Sequence, residues 1–149
     1  ITRRLEAGAV GEYLRRFSES GRLVVAEAPG AFELPTLAHA AAASGHFDAV
    51  VCLGCVIKGE TSHDVYISHA ISHAIAMIPL QTGVPVAFGV LTVDTPEQAV
   101  DRAGGVHGNK GEEAMIAALE TLAAAAALRQ GFPYSLGCRP QDKAQAPSS

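Results

Sequence analysis

Cysteine, basic clusters and long apolar runs are all scarce in this chain of 149 residues, and each shortage removes a class of function. Three cysteines cannot build a disulfide framework. Cys52 and Cys55 have the spacing of a redox pair, but they fall inside an apolar run that suits a strand. Side chains three apart on a strand face opposite sides of a sheet, whereas reactive pairs sit at a helix start. No second cysteine pair completes a zinc site. A net charge of −4 without a basic cluster argues against nucleic acid as a partner. Apolar stretches are interrupted by Gly, His or Pro before they reach membrane-spanning length, and the first residues do not read as a signal peptide. The cytoplasm is the expected compartment, with no membrane partner. Charged residues make up 17% and hydrophobic ones 48%, which describes a globular chain rather than a disordered one.

What is present alternates. Ile1 to Phe17 reads as a helix that Gly21 stops, followed by a short strand from Arg22 to Glu27. Pro29-Gly30 turn the chain, and Pro35 opens an alanine-rich helix ending at Ser44-Gly45. Asp48 to Ile57 is an almost continuous apolar run, as in a strand buried on both faces of a parallel sheet. After Lys58-Gly59, Thr61 and Ser62 offer N-cap oxygens to a helix expected to end or kink near Pro79. Val86 to Val93 is a second buried strand. Thr95 and Gln98 have capping-box spacing, with Pro96 first in a short helix closed by Gly104-Gly105. Gly108-Asn109-Lys110-Gly111 forms a turn before a last helix, Glu112 to Gln130. Residues 1–132 therefore form one α/β domain with a parallel sheet and helices on both faces, and 133–149 a tail. In such sheets a ligand sits beyond the carboxyl ends of the strands, where the turns at Pro29–Glu33, Lys58–His63 and Val93–Thr95 should open together.

The chemistry centres on the middle turn. A strand, a glycine turn and a helix start present free backbone N–H groups to an anion such as phosphate, and His63 stands beside them. Histidine titrates near neutrality, so a general acid/base next to a phosphate cradle is the sharp reading, a surface histidine the bland one. Arg102 is a solvated ion-pair residue or a fork for phosphate, and Lys110 a helix-start lysine or a substrate contact. Phe32 and Phe88, near strand ends, pack in the core or stack on a planar ligand. His69 and His73 have i,i+4 spacing, but no His-Glu-x-x-His pattern accompanies them. They fall opposite the apolar stripe, facing solvent or a partner subunit, and are not read as a metal site. No P-loop, Gly-x-Gly-x-x-Gly or Ser-His-Asp arrangement appears. The residues alone point to acid/base chemistry on a phosphorylated small molecule, with no metal or nucleotide cofactor.

Five stretches in order and at matching spacing, Pro29–Pro35, Gly54–His63, Gly83–Val90, Asp101–Gly104 and Gly108–Gly111, resemble the 6,7-dimethyl-8-ribityllumazine synthase family. The resemblance covers Ile1 to about Ala127. It implies a three-layer αβα sandwich around a flavodoxin-like, four-stranded parallel sheet. It implies condensation of 5-amino-6-(D-ribitylamino)uracil with L-3,4-dihydroxy-2-butanone 4-phosphate, releasing phosphate, in the penultimate step of riboflavin biosynthesis. Carried over by position, His63 is the proton-transfer residue; Gly59, Glu60, Thr61 and Arg102 hold the phosphate. Ala31, Phe32, Glu33, Cys55, Val56, Ile57, Phe88 and Lys110 line the place of the ribityl-uracil. The resemblance also implies rings of five copies, sometimes closed into a 60-subunit shell, with sites between subunits, and riboflavin synthase as a possible partner.

Two departures accompany it. Asp64-Val65 follow the histidine where an aromatic and then an acidic residue are usual, so an orienting carboxylate for His63 is Asp64 or is absent. The family's first strand, which ends in an aromatic-Asn pair at the heterocycle, has no counterpart before the helix at Ile1. The expectation is a truncated sequence, or a segment supplied some other way. Two rival readings share the fold: a catalytically silent cage or flavin-storage protein, and an archaeal-type riboflavin synthase. Retention of His63 and Arg102 together favours the lumazine synthase.

Overall fold

The computed structural model describes residues 1–17 and 22–131. Its centre is a parallel pair, β1 (Val50–Ile57) and β2 (Val86–Val93), in register from Val50 opposite Val86 to Ile57 opposite Val93. The alternation of strand side chains sorts the core into two faces. Cys52 packs with Ala38 and Ala42 of α2 (Leu34–Ala43) and with Ile71, Ile75 and Ile78 of α3 (His63–Thr82). On the other face Leu91 and Val93 meet Leu5 of α1 (Thr2–Phe17) and Ala99 of α4 (Pro96–Asp101). There too, Ala87 meets Ala114 and Ala118 of α5 (Lys110–Arg129). Helices therefore cover both faces of a parallel sheet, as the alternating pattern predicts. Cys55 packs toward the Leu5 face, so the two neighbouring cysteines lie on opposite sides and cannot pair.

The sheet is narrower than expected. Arg22 to Glu27 forms no ladder, and Leu23, Val24 and Val25 are 38%, 48% and 54% exposed. A segment becomes a strand only when a neighbour takes its N–H and C=O groups. Among the described residues β1 pairs with β2 alone. Where a four-stranded sheet was expected, the described residues form two parallel strands, plus a small antiparallel hairpin that the sequence did not suggest. That hairpin joins β3 (Ala103–Gly105) to β4 (Gly108–Asn109).

Boundaries differ for local reasons. Pro79 does not stop α3, because it sits in the last turn, where a missing N–H costs a single bond; the helix runs to Thr82 and ends at left-handed Gly83 (φ +73°). Asn109 is an N-cap rather than part of a turn. Its Oδ1 accepts from the N–H groups of Gly111 (2.8 Å) and Glu112 (3.3 Å), so α5 begins at Lys110. The Asn109 Nδ2 donates to the Arg4 carbonyl at 2.8 Å and ties the start of α5 to α1. Further along these helices Glu12, 3% exposed, is held by Arg15 (2.7 Å) and Arg16 (2.6 Å), and Arg15 reaches across to Glu112 (2.6 Å). A buried carboxylate needs such partners to be tolerated. The expected stop at Gly21 and the 133–149 tail lie outside the described residues.

Candidate functional site

A cleft of about 470 Å³ opens at the carboxyl end of β1. One wall is the short 3₁₀ turn Ala31–Glu33, which leads directly into α2. The floor is Cys55, Val56 and Ile57, and the far wall is Gly59, Thr61, His63, Asp64 and Ile67. Nine residues singled out from the sequence converge here: Ala31, Phe32, Glu33, Cys55, Val56, Ile57, Gly59, Thr61 and His63. Glu60 is exposed beside them without lining the cleft. Phe32 is 60% exposed, an open ring rather than a core residue. The third turn lies close by: Lys58 N–H donates to the Val93 carbonyl at 2.9 Å, and its Nζ stands 3.7 Å from Asp94.

The start of α3 differs from the expected cap. Ser62 occupies the N-cap position, but its side chain makes no capping bond. The first N–H groups of α3 are thus left without the side-chain acceptor found at Thr95 and Asn109. His63 and Asp64 occupy this open turn. One oxygen of Asp64, Oδ1, is shielded and makes no hydrogen bond. Among the described residues no hydrogen bond joins Asp64 to His63, and neighbouring residues on a helix point away from each other.

A second cleft, of about 510 Å³, runs along the open edge of β2 between Pro79 of α3 and Ala114, Ala117 and Ala118 of α5. It gathers Phe88, Arg102 and Lys110. Phe88 is the third residue of β2, near the amino end of that strand, and lines the cleft along its edge. At 43% exposure it is not a core ring. The Arg102 guanidinium turns back on its own short helix and donates to the Gln98 carbonyl at 3.1 Å. Lys110 Nζ is 2.6 Å from Glu113, a residue that sequence reasoning passed over although it stands one helical turn on. Within one chain, then, the structure does not bring Arg102, Lys110 and Phe88 to the His63 cleft. They line the second cleft instead.

The two described thiols, Cys52 and Cys55, are held protonated by their environment. Burial pushes Cys52 up to about 11 and raises Cys55 as well, so both stay protonated at neutral pH. Among the described residues no three of His, Cys, Asp and Glu gather in metal-binding geometry, and no helix is long and apolar enough to cross a membrane.

A strand-end cleft with a histidine at an uncapped helix start, on a parallel sheet, defines the class: an α/β enzyme acting on a small molecule. The particular kind follows from one comparison. The family model for 6,7-dimethyl-8-ribityllumazine synthase matches residues 1–126, and the chain belongs to that family, a transferase family of riboflavin biosynthesis.

Proposed function

We propose that this chain condenses 5-amino-6-(D-ribitylamino)uracil with L-3,4-dihydroxy-2-butanone 4-phosphate to 6,7-dimethyl-8-ribityllumazine. The carrying observation is the convergence of three separate chain segments, 31–33, 55–57 and 59–63, on one cleft that ends in an uncapped helix start and His63. The substrate's own amine is the nucleophile, so no protein nucleophile is required. Position, an anion cradle and a proton shuttle suffice. The ribityl-uracil lies between the 31–33 turn and the end of β1. The phosphate lies on the first turn of α3, where free N–H groups and the helix dipole favour an anion. His63, in the same turn, moves a proton as phosphate and water leave.

The second half of the site comes from another copy. Arg102, Lys110 and Phe88 line their own cleft, away from His63, and among the described residues the edge of β2 beside them has no strand partner. A heterologous contact in a closed ring sets one surface of each subunit against a different surface of the next, which brings the two clefts together. A pentameric ring, closed into a 60-subunit shell, is the assembly we propose. Mixing the purified protein with both substrates and following lumazine absorbance together with phosphate release tests the reading. Production of both is expected, and dismutation of added lumazine without condensation would assign the rival riboflavin synthase activity instead.

A further inference from the structure

We propose that His69 and His73 form a transition-metal chelate on the outer face of α3, apart from both clefts. Neither residue lines either cleft, and both are exposed. Residues four apart on a helix have Cβ atoms roughly 6 Å apart on one face, so both imidazoles can reach a common ion at about 2.0–2.1 Å. That spacing is firm here, because α3 is unbroken from His63 to Thr82 and is anchored on its inner face by Ile71, Ile75 and Ile78. Among the described residues neither ring has a hydrogen-bond or ion-pair partner. The one side-chain bond in this turn, from Ser72 Oγ to the His69 carbonyl at 3.1 Å, uses backbone and leaves the imidazole uncommitted.

The ligand set selects the metal. Two imidazoles with the remaining positions open to water suit Cu(II), Ni(II) or Zn(II), whereas Mg and Ca prefer oxygen ligands. Met77, a further turn along and 38% exposed, adds a thioether to the same stripe. It is eight residues from His69, about 12 Å along the axis, so those two cannot share an ion. The site is therefore a two-histidine chelate.

The test is a calorimetric titration of the untagged, assembled protein with Ni(II) in a non-coordinating buffer. About one ion per chain is expected. His69→Ala and His73→Ala should each weaken binding at least tenfold or so, the least that losing even an indirect ligand partner costs. Met77→Leu and His107→Ala should leave it unchanged, with unaltered circular dichroism in all four variants. Absence of binding to the wild type, wild-type affinity in either single histidine variant, or binding retained by the double variant would each overturn the proposal.

Discussion

At the scale of single residues, the proposed site gives His63 and Arg102 separable roles. His63→Ala is expected to lower kcat roughly 10- to 10⁴-fold with the assembly intact, the usual range for an acid/base group. Wild-type turnover in that variant would remove His63 from the mechanism. Arg102→Lys keeps the charge but loses the planar fork, so KM for the phosphorylated substrate should rise about 10- to 100-fold, with KM for the ribityl-uracil unmoved. Steady-state kinetics with each substrate varied in turn distinguishes the two. Cys52 offers a check on burial. Its thiol titrates near 11 in the fold against an ordinary value of 9.0. Stability from keeping it neutral is complete below pH 9 and lost as pH rises from 9 toward 11. Two units correspond to about 3 kcal/mol at the limit. Denaturant unfolding of the wild type and Cys52→Ala between pH 8 and 11 should show the wild type losing stability with pH more steeply than the variant; parallel curves would mean that the thiol is hydrated. The inertness of this cysteine was legible from strand alternation alone. The self-capping of Arg102 was not, since the bond to Gln98 depends on where a six-residue helix stops.

Elements explain what the sequence could and could not disclose. The unit β1–turn–α3 was legible because every signal in it is local: a β-branched run, a glycine break and an apolar stripe at helical spacing. The segment 22–27 carries similar strand signals and yet forms none, because a ladder needs a partner that its own residues do not encode. That Phe88 lies along an open edge was not legible for a related reason, as an edge is a property of the whole sheet. Asn109, seen in the sequence as a turn residue, is the device that docks α5 on α1. The approach there is so close that a Cβ on Gly111 would overlap the Leu5 carbonyl, and one on Gly8 would strike the Asn109 side chain. Gly111→Ala should therefore destabilise by about 1–3 kcal/mol despite alanine's better helix propensity. An unchanged urea midpoint would show that the two helices can part without cost.

For the whole molecule, the division of the proposed site between two clefts makes activity a property of neighbours. Subunits carrying His63→Ala and subunits carrying Arg102→Ala, each nearly inactive alone, should regain activity when unfolded together and reassembled. Random mixing leaves roughly a quarter of the heterologous interfaces with both good halves. No recovery in verified mixed rings would place both residues in one subunit's site. The clasp between α1 and α5 has a different consequence, in time rather than space. Arg4 and Asn109 are 105 residues apart, and Arg15 and Glu112 are 97 apart. At a synthesis rate of about 5–20 residues per second, α1 leaves the ribosome roughly 5–20 s before its partner exists. Throughout that interval Leu5, Ala9 and the otherwise buried Glu12 face solvent or a chaperone, and α1, made well before α5, is among the last helices to find its place.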